Sequence, residues 1–578
     1  MPARTGTAHV VTTTRKYKDQ TYRTHLLRRS YREGGTVKNE TLGNLSHLPD
    51  ELIEIIRRSL QGETFVPLTQ AFEITASRPH GHVQAVSLAM QRLGFASLIA
   101  SKAGRERDLV IAMVAARILA PSTKLATTRW WHTTTLAEDF GVAHASEDDL
   151  YAAMDWLLAR QGTIEKKLAA RHLHDDGLVL YDLSSSYFEG HCCELARRGY
   201  SRDGRQGTLQ VNYGLLTDAR GCPVAVSVHE GNTADSKTFM PAVQKLRDDF
   251  GIKRMVMVGD RGMVSQKAIE EMREMQGIGW ITALKSGSIR ALVEQGQLQL
   301  GLFDERNLLE LSSPEYPGER LVACRNPELA KLRAHKREEL LVATEQSLGK
   351  IKARVDAGKL SAGEEIGLRV GRVVNQYKVA KHFELAITDN TFTFARKNDS
   401  IAAEAALDGL YIIRTSVPSE QMGAPQCVRN YKSLSNVERA FRSFKTIDLK
   451  VRPIHHRLAD RVRAHIFLCM LAYYVEWHMR EAWRELMFAD TEQQAKATRD
   501  PVAPAKRSKA ALVKASTHSL DDDTPVHSFS TLIAEMATIA RNTCRTPGAA
   551  ENAPSFTVHT SANAKQKHAL ELIGQITL

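Results

Sequence analysis

An α/β chain, built on a mixed sheet flanked by helices, is predicted by three features of the sequence. Between residues 176 and about 300, strand-like apolar runs alternate with helical stretches. Two of those runs, GLVLYDLSSSYFEG and KRMVMVGDRGMVS, carry Asp182 and Asp260, the first followed within two residues by Ser and the second directly by Arg and Gly. That is the pattern of a carboxylate at the carboxyl edge of a buried strand, where open α/β sheets place their sites. An aspartate after a strand is also an ordinary turn former, so each alone says little. The third feature is YKSLSNVERAFRSFK, Tyr431 to Lys445, which reads as a single helix carrying one acid, Glu438, among several bases.

On that helix Tyr431, Glu438 and Lys445 are spaced by seven residues, a step that returns to the same face with a drift of about 20°. Leu434, Val437, Phe441 and Phe444 recur at three- and four-residue steps and supply an apolar band for docking. Glu438 and Arg442 also have the spacing of a plain helix ion pair, which is the alternative to a functional role.

Taken in order, residues 1–62 read as a basic, β-rich arm. Thr and Val alternate with polar residues around Gly34 and Gly35, and eleven Lys and Arg face six Asp and Glu, with Tyr17, Tyr22 and Tyr31 interspersed. Bases among aromatics can grip a DNA backbone, and a solvated hairpin that touches nothing fits as well. Residues 63–175 turn helical. RDLVIAMVAARILAPS is apolar around most of its circumference and stops at Pro121, while SEDDLYAAMDWLLARQ opens on a Ser cap followed by acids. Residues 176–300 carry three strands, a helix, a strand, a helix and a strand. Residues 301–425 are expected to be an inserted α+β domain, with a charged helix over Pro327 to Asp356 and strands in LRVGRVVNQYKV, FELAITDNTFTFAR and GLYIIRT. Lys378, Lys381 and Arg396 are its candidate DNA-holding bases. Residues 426–490 hold the Glu438 helix and a long helix from about His456 into Trp483. Residues 491–578 read as a polar, mobile tail with two short amphipathic stretches.

Across its 578 residues the chain carries 78 Lys and Arg against 66 Asp and Glu, a net charge of +12. This surplus favours a polyanionic partner, nucleic acid first. Seven scattered cysteines argue for reduced thiols and against a disulfide framework, and His191-Cys192-Cys193-Glu194 lacks the spacing of zinc pairs. No stretch approaches the roughly 20 apolar residues of a membrane helix, and the N-terminus has no apolar signal core. A cytoplasmic, nucleoid-associated location is expected.

Together these residues resemble the DDE transposases of bacterial insertion sequences, in the group whose last acid lies in the signature Tyr-x2-Arg-x3-Glu-x6-Lys. The frame here is Tyr431, Leu434, Glu438 and Lys445, with Leu at the Arg position. The likeness extends through ARRGYSRDGRQG, HEGNTADSKTF, the DRG that begins at Asp260, YKVAKHFE, LDGLYIIRT and RPIHHRLADRVRAHIFLCMLAYYVEW, covering roughly residues 90 to 485.

The resemblance implies an RNase H-like core with the insertion placed before the last acid. It implies Asp182, Asp260 and Glu438 as catalytic residues and metal ligands, and Tyr431, Lys445 and Arg442 as residues that position DNA phosphates. Two Mg²⁺ ions, with Mn²⁺ as substitute, would set +4 against −3 and stabilise the attacking and leaving oxygens of an in-line displacement. The implied substrate is double-stranded DNA, both the terminal inverted repeats and the target, held by a homodimer in a synaptic complex. Two other readings fit the same residues: an RNase H-like DNA nuclease without strand transfer, and a catalytically inactive DNA-binding regulator.

Overall fold

The computed structural model describes residues 6–18, 20–65, 67, 71–298, 303, 307–492, 498–503, 506–550 and 552–578. They fall into two compact units, Met1–Ser77 with Arg541–Thr560, and Arg78–Ala540 with Ser561–Leu578.

In the smaller unit Ala8–Tyr17, Gln20–Glu33 and Thr36–Asn44 form a three-stranded antiparallel sheet. Gly34 and Gly35 join its last two strands with φ of +58° and +83°, values that glycine adopts at little steric cost. The helix Asp50–Leu60 follows. A second small sheet pairs Glu73–Pro79 with Ala540–Arg545, which in turn pairs Phe556–His559. The tail expected to be polar and mobile therefore contributes two strands here.

The larger unit is organised by a mixed sheet of nine described strands. At its centre Gly177–Tyr187 runs antiparallel to Leu209–Asp218 on one side and parallel to Met255–Val258 on the other. Pro223–Glu230 pairs with Leu209–Asp218, and Ile278–Ala283 continues the parallel side. The helices Ser236–Asp248 and Gln266–Glu274 connect these strands in chain order. Beyond Ile278–Ala283 the sheet is extended by Leu410–Thr415, Arg320–Arg325 and Leu308–Leu311. Those three fall inside the stretch expected as an insertion, whose expected start near 300 lies partly outside the described residues. Buried Glu319 braces this edge, accepting from Arg414 at 2.5 Å and from Arg273 at 2.7 Å.

What remains of the insertion is a smaller apolar cluster. The helices Pro327–Asp356 and Gly363–Tyr377 and the hairpin Phe383–Ile387 with Phe392–Arg396 bury Leu341, Leu348, Ile366, Val370, Phe383 and Phe392 together. LRVGRVVNQYKV, expected as a strand, lies largely in the helix Gly363–Tyr377. Ile366 and Val370 are four residues apart and both buried, and Glu364 and Glu365 sit in the first turn, where a helix favours acids. Arg396 is bound to Glu345 at 2.7 Å and to Glu338 at 2.9 Å, and Lys381 pairs with Glu404, so these two candidate DNA bases are held by acids of their own cluster.

Helix Ala459–Ala482 is buried along nearly its whole length, from Val462 to Met479. It packs on the helices Arg105–Leu119, Glu147–Leu158 and Gly81–Arg92 and on the strand Pro223–Glu230, so the helical region and the sheet share one core. Trp131 is fully buried in that core. The amphipathic stretches of the tail join it as Phe529–Met536 and Ala564–Gly574, burying Leu532, Met536, Ala569 and Ile573.

One close approach sets the central strand pair. A Cβ on Gly214 would lie 2.2 Å from the hydroxyl oxygen of Tyr181, a side chain that is itself almost fully buried against Phe239. Gly214→Ala is therefore expected to lower stability by about 1–3 kcal/mol, the usual cost of overfilling a packed core. Urea denaturation measures it, and an unchanged midpoint would mean that Tyr181 moves freely.

Candidate active site

The parallel pairing of Gly177–Tyr187 with Met255–Val258 places Leu180 opposite Val258. Asp182 lies two residues further along its strand and Asp260 two residues beyond the end of its own, and the two carboxylates line the same cleft. Strands so paired lie about 4.8 Å apart. Glu438 arrives from the helix Leu434–Arg442, which packs on Gly177–Tyr187. Leu434, Val437, Ala440 and Phe441 are the buried face of that helix, and Phe441 and Phe444 lie 5.8 and 5.6 Å from the ring of Tyr213. With that face fixed, Glu438 projects into the open. All three carboxylates line one cleft of about 580 Å³.

Burial pushes the Asp182 carboxyl up to about 7, and the neighbouring charges of Asp260 and Glu438 push in the same direction. The Leu183 amide donates to Asp182 Oδ1 at 2.8 Å and partly offsets this. Among the described residues none of the three acids forms an ion pair, and Glu438 leaves Arg442 unpaired with it despite the helical spacing. Three of the bases of the cleft, Arg202, Lys445 and Arg452, are bound to two other acids of its lining. Asp203 takes both Lys445, at 3.1 Å, and Arg452, and Asp235 takes Arg202. Tyr431 donates its hydroxyl proton to Asp260 Oδ1 at 3.2 Å. A donor set of carboxylates alone, crowded enough to retain a proton, suits a hard divalent cation.

Of the residues singled out from sequence, Asp182, Asp260, Glu438, Arg442 and Lys445 line the cleft, and Tyr431 reaches it through Asp260. The stretch expected as a single helix is divided. Tyr431 belongs to the helix Ala424–Lys432, Ser433 is a turn, and Lys445 sits in the π-helical turn Ser443–Ile447. Leu434 is buried and cannot take the place of an arginine toward a phosphate. Arg429 bonds the Arg499 carbonyl at 3.1 Å and Lys432 the Pro501 carbonyl. Arg202, Asp203, Asp235 and Arg452 are additional cleft residues. Their segments, ARRGYSRDGRQG, HEGNTADSKTF and RPIHHRLADRV, stand out in the sequence, but nothing local marks these side chains within them.

Residues 174–475 match the family model described as transposase DDE domain, and residues 10–66 match that described as the N-terminal domain of IS1634 family transposases. No curated protein matches the chain. A solved piggyBac transposase synaptic complex with hairpin DNA is similar at 9% identity over 78% of this chain and 77% of that one, with a TM-score of 0.32.

A carboxyl that titrates near 7 when folded and near 3.9 when unfolded binds more proton in the folded chain between those values. Stability then falls as pH rises from about 4 to about 7, and levels off above. Asparagine mimics the protonated acid at every pH. In metal-free buffer the melting temperature of Asp182→Asn should exceed that of wild type by a margin that grows between about pH 5 and about pH 8. A constant margin would make Asp182 an ordinary solvated acid.

Proposed function

Because the chain belongs to the DDE transposase family and is a DNA transposase of an insertion sequence, we propose that Asp182, Asp260 and Glu438 are its catalytic carboxylates. The observation that carries this is their convergence, without basic partners, in one cleft. The strand order 223–230, 209–218, 177–187, 255–258, 278–283, with the first acid on the central strand, supports an RNase H-like core.

The family uses divalent metal ions. Asp182, Asp260 and Glu438 would hold two of them here, Mg²⁺ or Mn²⁺ by the hardness of the donors. When bound, such a pair stabilises the attacking and leaving oxygens of an in-line displacement. In our reading the reaction hydrolyses a phosphodiester at each transposon end, and the freed 3′-hydroxyl then attacks target DNA. Tyr431 orients Asp260 through its hydroxyl, while Lys445 and Arg442 offer charge to phosphates entering the cleft. The basic N-terminal sheet, with Tyr17 and Tyr22 62% and 53% exposed, and the helical region after it would hold the ends. A homodimer would synapse the two ends at the nucleoid.

Asp182→Asn, Asp260→Asn and Glu438→Gln should each reduce end cleavage by about 10²- to 10³-fold or more, the scale of losing one charge-stabilising group in a transition state. Joining of pre-cut ends to target DNA should fall in parallel, while DNA affinity persists. A variant that still cleaves would remove its residue from the site, and cleavage without any joining by wild type would leave a nuclease. Affinity should also fall linearly on a log scale with salt, as counterion release requires. A flat response in a binding titration would refute a phosphate-gripping surface.

A further inference from the structure

Arg452 lines a second cavity besides the candidate active site. This one encloses about 790 Å³ between the start of the helix Lys124–Trp130 and the segment 450–465. Arg117, Lys124, Lys450, Arg457 and Arg461 also line it, and no aspartate or glutamate does. Two of these cations are deep in the fold: Arg117 is 8% exposed and Lys124 is 4% exposed.

Neither has a counter-charge among the described residues. Lys124 Nζ has only the ring nitrogen of His465 at 3.4 Å, and Arg117 reaches the carbonyls of Ser122 at 3.2 Å and Leu449 at 3.5 Å. Arg461 lies over the Tyr151 ring at 4.5 Å and 3.7 Å from Asp155, with its Nε buried and unpartnered. His456 and His465 bring no negative charge and are held neutral, since burial and the surrounding cations push both well below the usual histidine range. A fold that buries an ammonium and a guanidinium with no anion nearby incurs a desolvation cost that nothing inside the chain returns. Burial and Arg117 accordingly draw the Lys124 amine down to about 7.

We propose that this cavity is a phosphate-binding subsite that receives a phosphodiester of the DNA strand entering the neighbouring cleft. The chemistry it selects is a phosphate group, which bridges several cations at once. The strand is favoured over free phosphate on two grounds: the cavity has room for more than one phosphate, and Arg452 is shared with the carboxylate cleft. The assignment of a DNA strand rests on the transposase reading above, and the existence of an anion site does not.

The full chain in chelator is melted in potassium phosphate and in potassium chloride at equal ionic strength, and is titrated with duplex carrying the element's own end. Wild type should gain melting temperature with phosphate in a saturating manner. Lys124→Met keeps the side-chain length and removes the unpaired charge. It should melt at or above wild type in chloride, lose the phosphate response, and bind end duplex about tenfold more weakly. Arg457→Ala, at the exposed rim, should blunt the same response and covers the case in which Lys124→Met does not fold. Asp182→Asn should retain the response, so failure of the subsite and failure of the catalytic assignment register separately. A phosphate response equal to chloride in wild type, or unchanged in both cavity variants, overturns the site. A lost phosphate response with unaltered DNA affinity overturns the DNA assignment in favour of free phosphate.

Discussion

The parallel hydrogen-bonded register between Gly177–Tyr187 and Met255–Val258 is the constraint from which the cleft follows. It brings Asp182 and the segment leading to Asp260 to one cleft, and residues 178–183 and 255–258 are rooted in the common core. Glu438 is brought to the same place by the docking of Phe441 and Phe444 against Tyr213. Apolar packing on three elements thus holds together like charges that would separate in water. The raised Asp182 carboxyl is the electrostatic record of that confinement.

The treatment of the nearby bases is the complement of this. Lys445 and Arg452 share Asp203, whose side chain is only 2% exposed, and Arg202 pairs with Asp235. Each basic group is thereby kept ordered at the wall of the cleft and drawn away from the three acids. The π-helical turn that carries Lys445 is anchored underneath by a buried network. Ser443 Oγ lies within hydrogen-bond reach of both Asp448 and Glu476, and Arg480 binds both acids at 2.6 Å. Acids left unpaired at one place and bases restrained beside them form a surface prepared for cations and phosphates together.

Much of this was legible because strand ends and helix faces are local patterns. Asp260 follows the end of the strand Met255–Val258 as expected, and the buried face of residues 434–441 repeats at helical spacing, but Asp182 lies in the middle of Gly177–Tyr187, because the serines after it continue the pairing with Leu209–Asp218. The sequence did not reveal where the helix breaks. Ser433 turns its hydroxyl onto the Asn430 carbonyl, competing with the helical ladder, and Ser443 is drawn to Glu476, on a helix more than thirty residues away. LRVGRVVNQYKV misleads because its valines suit either element, and only the burial of Ile366 and Val370 against Phe383 and Phe392 decides. The strands at 308–311 and 320–325 escaped notice because each is short and bounded by charge, and their pairing with Leu410–Thr415 is long-range. The tail read as mobile from its composition, yet a few apolar residues, Leu532, Met536 and Ile573 among them, suffice to dock it.

Arg452 connects two sites of different imbalance, since three carboxylates of the cleft have no ion-pair partner among the described residues, while the adjoining cavity is lined by bases and by no carboxylate. The chain does not let them neutralise each other, although their mutual attraction would favour it. Lys124 and Arg117 are fixed by the helices packed around Ala459–Ala482, and Asp182 and Asp260 by the sheet, so neither set can cross the gap. Charges separated at this cost to the free protein are compensated only by something that carries both signs. A phosphodiester strand accompanied by divalent cations does so, offering anions to one site and cations to the other, and its binding would relieve both imbalances at once.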